Sequence, residues 1–367
     1  MEERIALISM LVVTTVVGAL LLFYPRITRR GLLFGVYVGE RHATHEAAEI
    51  THSWYGGMGL VIAASLVIGL CVRFGWRNPM GGPISTWILL GGFVVMYLRT
   101  YRRARALAVS GTPTTAAVLV AESPQSLLLP MLAVALGVAG GLYALGYVWS
   151  HYGALPDRIP THFGAGGRPD AWGRRSFGSV MAMPLMALIL GGGLGAIACL
   201  VAHAKRAIRY PDAGVSLAAQ QRFRRGVTML LTGTSILVTI MAVAGSISVV
   251  QVALGERERL HPLFIAAALG LVVYALAGCV YLAVRIGQGG ARLERAAGSA
   301  PLTDGLADNA KWRLGIFYVN REDPSFFVEH RFGLGYTINL GNPKAVALLV
   351  GFLVLIGAMT VLVLVSG

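Results

Sequence analysis

Apolar and polar positions alternate along this chain on two scales. On the long scale, eight apolar runs stand between polar, mostly basic stretches, at about 5–24, 55–72, 84–101, 126–150, 178–203, 226–252, 262–285 and 345–366. A helix needs about 20 residues to cross roughly 30 Å of hydrocarbon, so each run predicts a membrane span. On the short scale, the stretch 41–54 has helical periodicity. His42, His45, Glu49 and His52 fall on one stripe, and Ala43, Ala47, Ile50 and Trp54 on another. That pattern predicts an amphipathic helix lying in the membrane interface. The linker at 155–173 is turn-rich, with Pro156, Pro160 and Pro169 and with Gly164, Gly166 and Gly167. Such residues shape tight loops. The segment 311–344 alternates aromatics with charges and has glycines at 315, 333, 335 and 341. It predicts short strands or extended turns docked at the inner membrane face. A turn is also expected at 110–113.

Composition agrees with the spans. Of 367 residues 56% are hydrophobic and 13% charged, about half the charged share of a soluble domain. The first run lacks a strongly basic start and a small-residue cleavage site, so it is read as a span, not a signal peptide. Lysine and arginine crowd one set of linkers: 22 of the 31 lie in those after spans one, three, five and seven. The positive-inside bias puts those linkers in the cytoplasm and both termini outside. The 155–173 loop is then extracytoplasmic. The net charge of +14 follows from this bias and from attraction to anionic lipid. It implies membrane lipid as a partner and no direct nucleic acid, since no compact basic recognition helix exists. Cys71, Cys199 and Cys279 fall in three different runs, which excludes a disulfide framework or a cysteine zinc cluster.

The runs hold no Asp, Glu or Lys in their interiors. This argues against a proton-coupled pump or an intramembrane protease. Phosphate-loop, H-E-x-x-H and G-x-S-x-G motifs are lacking. Hydroxyls on the sixth run (Thr232, Thr234, Ser235, Thr239, Ser246 and Ser248) either line a conduit or bond backbone. Two clusters carry candidate chemistry. His42, His45, Glu49 and His52 offer zinc-type ligands, although one straight helix cannot close a tetrahedron; their plain reading is a polar helix face. His162, with Asp157 and Asp170, offers acid–base, metal-binding or recognition chemistry in the loop, or structural bracing.

The loop has a family likeness. Leu155, Pro156, Ile159, Pro160, His162, Gly167, Pro169, Asp170, Trp172 and Gly173 resemble the signature of SdpI-type bacterial membrane proteins, between two spans as in that family. Gly164 stands where the family usually has Asn, and Arg174 or Arg175 where it often has Lys. The likeness covers about 126–203. The segment 311–344 resembles a second domain of unknown function through Trp312, Gly315, Tyr318, Asn320, Asp323, Pro324, Arg331, Phe332, Gly333, Asn339 and Gly341 to Pro343. The family's named member protects its producer from a secreted toxic peptide and holds a transcriptional repressor at the membrane. The resemblance therefore implies an immunity or signalling protein of the bacterial inner membrane. Its ligand-binding residues would be Asp157, Pro160, His162, Phe163, Asp170 and Trp172. A toxin peptide would bind outside, and a repressor or other protein at the cytoplasmic face. This chain departs by three additional N-terminal spans and the inner segment.

The expectation is an all-α polytopic membrane protein of about eight helices, not an enzyme. Its regions are 1–125 with the interfacial helix 41–54, a core at 126–285 with the loop 151–177, an inner segment at 286–344, and a last span at 345–367. The alternatives are a metal-dependent membrane enzyme using the histidine stripe or His162, with zinc as cofactor, and a small-molecule transporter.

Overall fold

The structure is a computed structural model and describes residues 2–29, 31–76, 80–109, 125–164, 166–204, 213–298 and 308–366. The turn expected at 110–113 lies outside the described residues. Eight helices fall on the eight apolar runs: α1 (Glu2–Leu22), α2 (His45–Leu70), α3 (Gly81–Arg105), α4 (Leu128–His151), α5 (Phe177–Ala202), α6 (Ala213–Ala253), α7 (Pro262–Tyr281) and α8 (Pro343–Ser366). Among the described residues, seven of them, α2 to α8, are long and apolar enough to cross a membrane, and α1 adds a shorter apolar stretch over Met10–Leu22. Four two-stranded antiparallel ribbons accompany the helices. The cysteines are free thiols.

The interfacial helix expected at 41–54 is not a separate element. Gly39–Ala43 forms a 3-10 turn, Thr44 caps the next helix through Ala47 N, and α2 then runs without a break from His45 to Leu70. Nothing between Trp54 and Tyr55 breaks the helix. Its apolar stripe faces protein: Ala47, Ile50 and Trp54 are buried, and Trp54 Nε1 donates to Leu22 O at 2.9 Å.

Two compact units divide the chain, and they interleave in sequence. The first draws on 1–121, 205–223 and 280–342. It holds α1, α2 and α3, and a buried Thr14–Ser85 hydroxyl pair at 3.0 Å joins α1 to α3. Three ribbons complete it: β1 (Leu32–Leu33) with β2 (Val36–Tyr37), β5 (Trp312–Arg313) with β6 (Phe317–Tyr318), and β7 (Phe327–Glu329) with β8 (Tyr336–Ile338). The strands expected in 311–344 are therefore present.

The second unit draws on 122–204, 224–279 and 343–367. Here α4 and α5 touch through glycines. A Cβ on Gly141 would sit 2.8 Å from Leu188, and one on Gly137 would strike the backbone of Gly192. This is the small-residue packing of membrane helices. Helix α5 contains Pro184 and a π-turn over Ala187–Gly191. Such irregular turns need outside hydrogen bonds, and Ser235 Oγ supplies one to Gly191 O at 2.7 Å. Thr232, Thr239, Ser246 and Ser248 each donate to the carbonyl four residues back. Five of the six hydroxyls on the sixth run thus bond backbone.

Candidate functional site

The 155–173 loop folds as a hairpin above α4 and α5, with strands β3 (Arg158–Phe163) and β4 (Pro169–Arg174). Leu155 and Ile159 anchor it in an apolar cluster with Val148, Val180, Met181 and Val250. Arg175 fixes the base: its Nη1 donates to Leu155 O at 2.6 Å and Tyr152 O at 3.1 Å, and its guanidinium lies 5.4 Å from the Tyr152 ring centre. The tip is tied to the linker between α6 and α7. Leu260 N donates to Gly167 O at 2.8 Å, and Arg168 pairs with Glu258 at 3.2 Å. Gly167 has φ +73°, a conformation that glycine adopts without strain.

The ladder slips between Pro160 and His162 and again between His162 and Phe163. Such bulges re-aim side chains. The first brings His162 Nδ1 within 2.5 Å of Asp170 Oδ1, and both side chains stay largely open to solvent. Pro160 is buried opposite Trp172, which is exposed, and Phe163 is half-buried. Asp157 does not join them. Its side chain is fully exposed, 3.9 Å from Arg175. The loop therefore holds a His–Asp pair rather than a three-residue cluster. An exposed pair keeps its water and suits hydrogen bonding to a polar partner. Close by, Trp149 and Phe177 form an exposed edge-to-face pair at 6.4 Å.

The histidine stripe divides at the start of α2. His42 sits in the 3-10 turn, while His45, Glu49 and His52 lie on the helix. His45 Nδ1 is 3.5 Å from Glu49 in an exposed i,i+4 pair. Among the described residues no three His, Cys, Asp or Glu side chains gather in a metal-holding group.

The segment 308–342 builds a second polar centre in the first unit. Phe332 is the hub of an aromatic cluster, with ring centres 4.8 to 6.5 Å from those of Tyr24, Phe34, Trp54, Phe93 and Tyr97. Beside it, Arg29 Nη2 and Glu329 Oε2 pair at 2.9 Å with both side chains 1% exposed. Arg29 Nη2 also donates to Gly289 O at 2.6 Å. Gln288 clamps the β7–β8 turn, donating to His330 O and Gly335 O and accepting from Gly335 N at 2.8 Å. Asn339 braces the other end through Asn320 and Asp323 O.

Two titratable groups here are displaced by burial. The Tyr318 hydroxyl is pushed up to about 12, chiefly by desolvation, and it donates to Asp323 Oδ2 at 3.0 Å. The His330 imidazole is pushed below its ordinary value by desolvation, and its Nδ1 accepts from Phe332 N at 3.2 Å. Sequence reasoning located the segment but not this network. Its one available signal was that Arg29 lies outside any apolar run; its partner is 300 residues away.

Residues 140–188, which span the hairpin and the helix segments around it, match a family described as a domain of unknown function (DUF1648). Residues 321–346, from the β6–β7 linker into α8, match a family of unknown function (DUF5808). No curated protein and no solved structure matches the chain.

Proposed function

We propose that this chain is an SdpI-like immunity or signalling protein of the bacterial cell membrane, whose β3–β4 hairpin binds a peptide or envelope ligand. The observation that carries this reading is the hairpin itself. It is braced at base and tip, and it presents a solvent-open His162–Asp170 pair beside exposed Trp172. A rigid hairpin offers recognition without first being ordered, which lowers the entropic cost of binding. Its unpaired strand edges also suit an extended peptide added as a further strand. The skew of lysine and arginine supports an outer hairpin, an inner 308–342 segment and outer termini. The inner segment then reports occupancy to a cytoplasmic partner such as a transcriptional repressor.

The test uses full-length chains carrying His162→Ala or Asp170→Asn, expressed at wild-type level in the membrane. Toxin-challenge survival and recruitment of the repressor are compared with wild type. Loss of both supports the reading. Unchanged survival and recruitment in both variants would refute a ligand-binding role for the hairpin.

A further inference from the structure

The 308–342 segment, the end of α3 and the β1–β2 turn line a half-open cavity of about 400 Å³. Arg105, Arg313 and Arg331 line it with Tyr101, Trp312 and Asn309, and no carboxylate is among the lining residues. Three of the described carboxylates of this segment are committed elsewhere. Glu329 pairs with Arg29, Asp323 accepts from Tyr318, and Asp308 caps Ala310 N and pairs with Lys311.

The three arginines differ in exposure. Arg331 is 1% exposed and fixed, its Nη1 donating to Asn309 Oδ1 at 2.8 Å and Gly35 O at 3.1 Å, with its guanidinium 4.8 Å from the Trp312 ring centre. Arg105 and Arg313 are exposed, and neither forms an ion pair among the described residues. Trp312 Nε1 is buried with no hydrogen-bond partner.

We propose that this cavity is a binding site for a phosphate-bearing ligand of net negative charge. Guanidinium forks match phosphate oxygens, and a cavity without carboxylates repels no anion. The volume falls within the range of small-ligand sites. Two sources share this chemistry: the headgroup of an anionic phospholipid and a free phosphate. Arg105 ends a membrane-length helix, which puts the cavity at headgroup level.

The experiment uses the full chain in non-ionic detergent. Phosphatidylglycerol, phosphatidylcholine and inorganic phosphate are titrated separately, with bound species counted by native mass spectrometry and stability followed by thermal unfolding. Arg105→Gln/Arg313→Gln is the test variant. Arg102→Gln removes an exposed charge one turn away that does not line the cavity. The expected result is saturable binding of phosphatidylglycerol or inorganic phosphate, at least tenfold weaker in the double variant and unchanged in Arg102→Gln. Binding of phosphatidylglycerol alone assigns the lipid headgroup, and binding of inorganic phosphate assigns the free anion. Binding of neither, equal binding of phosphatidylcholine, or equal weakening in Arg102→Gln would overturn the proposal.

Discussion

Glu329→Gln tests whether the buried ion pair holds the 308–342 segment in place. In the wild type both partners are 1% exposed and 2.9 Å apart. Removing one charge from a buried pair leaves the other unscreened and costs about 3–5 kcal/mol. Glutamine keeps an acceptor oxygen, and Arg29 still donates to Gly289 O at 2.6 Å. The lower end, about 3 kcal/mol, is therefore expected. At about 1.4 kcal/mol per factor of ten, local opening becomes roughly 100-fold more frequent. Amide hydrogen exchange reads this directly, where closing outpaces exchange. The informative amides are His330 N, which donates to Gly335 O, and Asn339 N, which donates to Phe326 O. They should exchange about two decades faster, while amides of α4 and α5 keep wild-type rates. Arg29→Met/Glu329→Met removes both charges together and should lie closer to wild type, because no ion is left stranded. Exchange in Glu329→Gln within threefold of wild type would refute the assignment of the pair as the clamp.

Three further predictions follow from other contacts. His330 has a folded pKa below its ordinary 6.5, so the unfolded segment binds more protons; stability is full above pH 6.5 and falls as pH drops below it. After division by the intrinsic base-catalysed rate, the protection of the segment's amides should fall from pH 7 to 5, and His330→Gln should flatten that slope. A Cβ on Gly35 would lie 2.5 Å from Gly315 O, at a φ of +80°, so Gly35→Ala should lower the thermal midpoint and loosen 308–342, whereas Gly146→Ala, in open space within α4, should do neither, alanine being the better helix former. Ser235→Ala removes the donor to Gly191 O and should cost about 1 kcal/mol in denaturant unfolding.

The helices were legible because a membrane span announces itself by hydropathy and length alone. The role of 41–54 was not. A 3.6-residue apolar stripe looks the same whether it faces lipid or protein, and only the burial of Trp54 against Leu22 separates the two. The loop's residues were legible as a group. Their pairing was not, because two bulges around His162 decide that Asp170 meets it while Asp157 turns away. Short strands in 311–344 could be read from alternating aromatics and charges. The residues they meet could not, since Arg331 bonds Gly35 across 296 positions and Arg29 meets Glu329 across 300. No local periodicity encodes such distances. The arginine-lined cavity went unseen for the same reason: Arg105 and Arg313 belong to different linkers.

Those separations also set a clock. Translation adds about 5–20 residues per second. The β1–β2 ribbon, with Gly35 at its turn, is therefore made some 15–60 s before Arg331, 296 residues later. For most of that interval Arg29 has neither Gly289 nor Glu329 to hold. The first unit closes only when late chain reaches early chain, so its assembly waits for the spans between them to be made.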